Sequence, residues 1–296
     1  MESNNYQLID RKADQAAKVK LTIERTLVYI FLIFLTIICL FFFYLLFVNA
    51  TRSHAEIQSG FTLIPSNHFF ENFHKMWNLS GMAPVRKGLR NSFIIASLSS
   101  VLTTYFSALT AYGVYAYNFK GKKFVETFIL LIMMIPSQVS SVGFLEMCNE
   151  MHWTNQYWVL IVPGIAAPAT FFYMIQHLRA TLPLDLVEAS RMDGSSEFMT
   201  FNRIVLPIMK PALAVQLIFS FVASWNNLYL PTLLITKTEM KTLPTMLALL
   251  RSADFANMDN GLIYMVIFIS IFPVMLVYLF LSRAIIKGVT SGSVKG

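Results

Sequence analysis

The chain has 296 residues, of which 56% are apolar and 13% charged, with a net charge of +7. A soluble domain usually carries about a quarter charged residues, so an ordinary soluble globule is excluded, and 26 Phe and 12 Tyr exclude intrinsic disorder. Two cysteines, Cys39 and Cys148, cannot build a disulfide framework or a four-cysteine metal site, which leaves a helical bundle in lipid as the expected class.

Residues 1–26 read as a polar tail with five basic side chains, Arg11, Lys12, Lys18, Lys20 and Arg25. Residues 27–48 follow without a charge. At the helical rise they extend about 33 Å, enough to cross a bilayer core. No small-residue cleavage signal follows, so this is expected to be an uncleaved first span. Residues 49–90 form a loop. Within it Ser66–Leu79 mixes Phe69, Phe70, Phe73, Met76 and Trp77 with Glu71, His74 and Lys75, the pattern of an amphipathic interfacial helix.

Residues 91–286 hold five further apolar segments: Ser92–Tyr117, Phe124–Met147, Tyr157–Leu178, Ala212–Ile235 and Leu262–Ser282. Pro136, Pro163, Pro168, Pro231 and Pro273 fall inside them, as membrane helices tolerate. Small residues recur along the second span: Ala96, Ser100, Thr104 and Ala108 on one stripe, and Ser99, Thr103, Ser107 and Ala111 on its neighbour. That spacing favours close helix packing over a polar pore lining. Six spans put fifteen Lys and Arg on the side of the termini and eight on the other. The excess predicts that both termini are cytoplasmic. The charge is thereby explained by topology, and nothing in the sequence argues for nucleic acid.

The spans contain no Lys, Arg or Asp; Glu126, Glu146 and His177 lie only near span ends. This argues against an ion-driven transporter. No Gly-x4-Gly-Lys-Ser/Thr phosphate loop occurs, so energy for uphill transport has to come from another chain.

The loop 179–211 is unusually ordered. Pro183 suits a first helical position, Asp185 and Glu188 suit the early turns, and Gly194 suits a left-handed stop. Ser195 or Ser196 can cap a second short helix that begins near Glu197. Pro207 and Pro211 lead into the fifth span.

Glu188-Ala189-Ser190, three residues, Gly194, nine residues and Ile204-Val205-Leu206-Pro207 is similar to a pattern of the inner-membrane subunits of bacterial ABC importers, Glu-Ala-Ala-x3-Gly-x9-Ile-x-Leu-Pro. Ser190 stands for the second Ala. Met192-Asp193-Gly194, Trp225-Asn226-Asn227, Lys241-Thr242-Leu243-Pro244 and the tail 287–296 narrow the likeness. From about residue 20 to the end, the chain resembles carbohydrate-uptake permeases of the maltose-transporter type, the shorter of the two permease halves. The resemblance implies an all-α membrane protein of the type I ABC importer fold: six transmembrane helices with a cytoplasmic coupling-helix loop between helices 4 and 5. It implies a multi-pass subunit of the bacterial inner membrane. The partners are a second homologous permease chain, two ATPase subunits, an external solute-binding protein and membrane lipid. ATP and Mg belong to the ATPase, and this chain is a transport subunit with no catalytic residue, metal or cofactor of its own. Contact with the ATPase falls to Glu188, Ala189, Ser190, Asp193, Gly194, Ile204, Leu206 and Pro207, with the tail 288–296 reaching the same partner. The substrate is then a sugar or oligosaccharide. An ABC permease for a phosphoglycerol or polyol is the alternative, and an ATP-independent secondary transporter a more distant one.

Amides and aromatic rings inside an apolar span suit sugar hydroxyls and C–H faces. Gln138, Gln216, Trp225, Asn226, Asn227 and Tyr229 are therefore pathway candidates, with interhelical hydrogen bonding as the competing role. In the loop 236–261, Asp254, Asn257 and Asp259 are candidates for facing the solute-binding protein.

Overall fold

The computed structural model describes residues 2–79, 84–252 and 259–293, and the side chains of 20–79, 84–252 and 259–282. No strand occurs among the described residues. Helix α1 (Glu2–Ala50) contains the first span, and the rest of the chain buries none of its most apolar stretch. Its far end is anchored: Phe47 packs against Phe69 and Phe268. There α2 (His54–Gln58) opens with a capping box between Ser53 and Glu56. The segment expected to be an interfacial helix is helical as α3 (Phe69–Asn78), which buries Asn72 and Met76 and leaves Phe70 exposed. Asn72 Nδ2 donates to the carbonyls of Ala50 and Arg52, tying α3 to the end of α1.

The central element is α4 (Val85–Ala116), which packs against most of the later spans. Both small-residue stripes are buried in it, so they serve packing. The third span is α5 (Lys122–Ile132) and α6 (Ser137–Glu150), bent by 92° where Pro136 cannot donate to the preceding turn. The fourth is α7 (Trp158–Ile161), a 3₁₀ turn at Val162–Ile165, and α8 (Pro168–Thr181). Then come α9 (Leu184–Met192), α10 (Glu197–Thr200), a π-helical turn at Phe201–Val205 and α11 (Leu206–Ile208). Pro207 has no N–H to return to Arg203, and the wide turn before it accommodates that gap. An 84° bend then leads into α12 (Lys210–Trp225).

The fifth span differs from the continuous helix expected on sequence. It breaks at Asn226 and restarts as α13 (Tyr229–Leu234). Asn227 Oδ1 accepts from Leu230 N at 3.4 Å, so the paired asparagines end one helix and open the next. A further helix, α14 (Leu243–Arg251), lies in what reads as a plain loop and packs on α4. Asn91 Nδ2 donates to the carbonyls of Glu239 and Lys241, and Leu243 N donates to Ser92 Oγ. The Lys241–Pro244 motif is thus pinned to the start of α4. The last span, α15 (Asn260–Ser293), runs unbroken through Pro273. Among the described residues four helical stretches are long and apolar enough to cross a membrane, and counting each bent pair as one span makes six.

Candidate functional site

The ordered loop after α8 is seated on the end of α4 and α8. Val187, Phe201, Val205 and Met209 are buried among Ala108, Ala111 and Tyr112 of α4 and Phe171, Met174 and Leu178 of α8. Phe201 lies between two rings, with centroids 5.6 Å from Tyr105 and 5.5 Å from Tyr112.

Capping chemistry sets the path of the loop. Asp193 is the C-cap of α9, and Gly194 follows in the left-handed region at φ +79°. Gly194 N donates to Arg191 O and Ser195 N to Ser190 O, both at 3.0 Å. These are the two bonds of a Schellman stop. Ser196, not Ser195, caps the next helix and accepts from Met199 N. Ser195 instead accepts from Thr200 Oγ1 at 3.0 Å.

Eight residues were expected to contact a partner, and they do not share one face. Glu188, Ala189, Asp193 and Gly194 are exposed along the outer side of the loop. Met192, 88% exposed, and Phe198, 68% exposed, stand with them; the sequence marks Met192 only as part of a motif and does not single out Phe198. Ser190 points the other way. It is buried, donates to Val187 O and lies 2.9 Å from Thr200 Oγ1. Its small size therefore serves the junction of α9 with α10. Ile204 and Leu206 are half-buried, Leu206 against the core, while Pro207 is exposed at the bend.

Directional bonds tie this loop to the end of α4, and others link α4, α5 and α8 around it. Arg191 Nε pairs with Glu197 Oε1 at 2.6 Å, and Tyr112 donates to Glu197 Oε2 at 3.0 Å. The Arg191 guanidinium lies 5.2 Å from the centre of the Tyr117 ring. Tyr115 donates to Leu182 O, Lys122 Nζ to the carbonyls of Tyr115 and Tyr117, and Tyr105 to Asn202 Oδ1. Arg179 of α8 holds Glu126 of α5 through both carboxylate oxygens, at 2.7 and 2.8 Å. The Arg191 guanidinium, with the hydroxyls of Tyr117 and Tyr112, holds the Glu197 carboxyl down to about 2. The pair is therefore ionised across the physiological range, and its contribution fades only as pH falls below the ordinary carboxylate range toward 2. The sequence shows the residue types, but the partners sit up to 97 residues apart.

The pathway candidates separate into two groups. The break in the fifth span brings Tyr229 to the first turn of α6, where Ser141 Oγ donates to Gln138 O at 2.7 Å and lies 3.2 Å from the Tyr229 hydroxyl. Gln138, Asn226 and Tyr229 are exposed there and Asn227 is half-buried. Ser141 is the member that sequence reasoning missed. Trp225 does not belong with them: its ring is buried and stacked on Phe221 at 5.8 Å, within a core shared with α4 and α15. Gln216 is half-buried on α12, about 15 Å along the axis from Asn226.

At the opposite end of the bundle, Asp259 caps α15 by accepting from Leu262 N at 3.1 Å and pairs with Lys75 at 3.4 Å. Asp254 and Asn257 lie outside the described residues. Among the described residues no group of three or more His, Cys, Asp or Glu side chains could hold a metal ion.

Residues 100–291 match the model of a family described as "Binding-protein-dependent transport system inner membrane component". The chain is 32% identical to the arabinooligosaccharides transport system permease protein AraQ of Bacillus subtilis, over 93% of this chain and 97% of that one. It is 30% identical to the trehalose/maltose transport system permease protein MalG of Thermococcus litoralis, over 93% and 98%. Its fold superposes with a TM-score of 0.75 on a chain of a bacterial ABC transporter involved in the import of the acidic polysaccharide alginate, at 18% identity and covering 88% of this chain and 96% of that one.

Proposed function

The chain belongs to the binding-protein-dependent transport system inner membrane components, and from that premise we propose that it is one permease half of an ATP-driven importer of a sugar or oligosaccharide. It pairs with a second, homologous permease, two cytoplasmic ATPase subunits and an external solute-binding protein. Both termini and the α9–α11 loop face the cytoplasm, in line with the excess of Lys and Arg on that side. The exposed, apolar length of α1 is covered by lipid and by the second permease.

The observation that carries the reading is the loop. Two short helices, with Glu188, Ala189 and Met192 exposed on α9 and Phe198 exposed on α10, joined by the Schellman stop and bonded inward to α4 through Glu197, form a surface made to receive another protein. ATP-driven closure of the ATPase pair displaces α9, and the spans follow between inward- and outward-open states. Coupling of this kind needs only that the partners bind the two states with different affinity.

The test is to tag the chain, extract it from its native membrane in mild detergent and identify what accompanies it. A second permease and an ATPase in fixed ratio are expected. Recovery of the chain alone, transporting without ATP, overturns the proposal. The substrates bound by the accompanying solute-binding protein then separate sugars from phosphoglycerols and polyols.

Within the membrane, Gln138, Asn226 and Tyr229 are the proposed hydroxyl-binding positions on this half. The breaks at residues 133–136 and 226–228 support this, because irregular backbone at membrane depth is tolerated where it lines a cavity or is buried in protein. Asn226→Leu is expected to raise the substrate concentration for half-maximal uptake about tenfold, the worth of a net hydrogen bond of about 1.4 kcal/mol. Concentration-dependent uptake at matched complex levels measures it, and an unchanged curve removes Asn226 from the pathway.

A further inference from the structure

We propose that Arg191, Glu197 and Tyr112 are positioning residues that make the coupling loop and the end of α4 move as one body, so that displacement of α9 is delivered to the central span. This rests on the coupling reading above.

The argument starts from how few directional contacts α9 has. It meets the bundle through the buried side chain of Val187, and apolar packing alone lets one helix slide over another. The Schellman stop fixes α9 against α10, and Ser190 on Thr200 reinforces that joint. Neither reaches a span. Glu197 does, and it is the tie that also engages α9; the second bond from α4, Tyr105 to Asn202, reaches only the turn after α10. One carboxylate oxygen takes the Arg191 guanidinium at 2.6 Å and the other takes the Tyr112 hydroxyl at 3.0 Å. A single carboxylate thus bridges the last turn of α9, the first turn of α10 and the end of α4. The guanidinium is also held from the α4 side by the Tyr117 ring. Charge-assisted bonds of this geometry fix direction as well as distance.

The pair is a poor device for stability. The side chains of Arg191 and Glu197 are 34% and 42% exposed, and ion pairs so exposed contribute little to folding. Three aromatic and charged groups converging on a half-exposed carboxylate are better accounted for by a need to hold geometry under load. The outward residues Glu188, Ala189 and Met192 are untouched by these bonds, so partner docking and transmission to α4 are separable.

The test uses the whole complex in proteoliposomes with its solute-binding protein, measuring solute imported and ATP hydrolysed in the same preparation. For Glu197→Gln and Arg191→Met, the ATPase is expected to remain bound and ATP hydrolysis to continue, while solute imported per ATP falls at least fivefold. The exchange Arg191→Glu with Glu197→Arg is expected to recover part of that ratio. A merely structural role would lower import and hydrolysis together, in proportion to assembled complex, and leave the ratio unchanged. An unchanged ratio in the single variants overturns the proposal. Tyr112→Phe removes one hydroxyl and keeps the ring, so it carries the same test, with a smaller fall in the ratio expected, if a charge variant fails to accumulate. Failure of the importer reading looks different: the unaltered chain would then show no ATP-dependent import at all.

Discussion

Gly194→Val is expected to reduce uptake more than tenfold while leaving the chain in the membrane. Gly194 has φ +79°, and a side chain placed there meets nothing within 4 Å. The penalty is therefore one of backbone conformation alone. A β-branched residue held in the left-handed region costs about 1–3 kcal/mol. The chain can escape that cost only by leaving the turn, which gives up the bonds from Gly194 N to Arg191 O and from Ser195 N to Ser190 O. With about 1.4 kcal/mol per factor of ten, the correctly angled loop becomes a minor population. Ser190 then loses its place beside Thr200, and Arg191 its place beside Glu197. The turn lies outside the apolar spans and its glycine touches none of them, so insertion and abundance should hold. Gly194→Asn supplies the control, because asparagine tolerates this conformation, and it should keep most of the uptake. Uptake normalised to chain in the membrane measures both. A valine variant that imports like the unaltered chain would show that the angle between α9 and α10 does not matter for transport.

That turn is legible in the residues themselves. Glycine after three helical turns, followed by serine and glutamate, carries its own conformational instruction, and Ser196 is one of the two caps that the pattern allows. The spans are legible too, since hydropathy and length decide them locally. What escapes is whatever depends on rotation about a helix axis or on contacts across the chain. Ser190 follows Ala189 directly and differs from it by one oxygen, yet one faces inward and the other outward. Trp225 sits beside two asparagines in sequence, but the helix ends there, and its ring turns into the core while Asn226 stays exposed. Tyr112, Glu197 and Arg191 each look ordinary alone; only the packing of α4 under the loop brings them together. The small-residue stripes fall between these cases. Their period marks a packed face, but not which backbone comes close.

That backbone is Gly164. A Cβ at this position would lie 2.7 Å from Thr103 Oγ1 and 2.9 Å from Ser99 Oγ, closer than real contacts allow. Thr103 also donates to Gly164 O at 2.7 Å, so the hydroxyl that forbids a side chain is the one that holds the turn. Gly164→Ala is therefore expected to destabilise the chain by about 1–3 kcal/mol through overpacking between α4 and the turn before α8. Thr103→Ala alone should cost only about 0.6–1 kcal/mol, the usual worth of an interhelical hydrogen bond in lipid. Combining them should cost less than the sum, because removing the threonine side chain clears the nearer of the two clashes and leaves only Ser99 Oγ to give way. A double-mutant cycle of apparent unfolding midpoints in detergent reads the coupling. Strictly additive losses would mean that α4 does not approach the Gly164 backbone this closely. A compensating pair would establish that the stripe on α4 is shaped for that one turn, and that the end of α8 leading into the coupling loop is set by a contact at membrane depth.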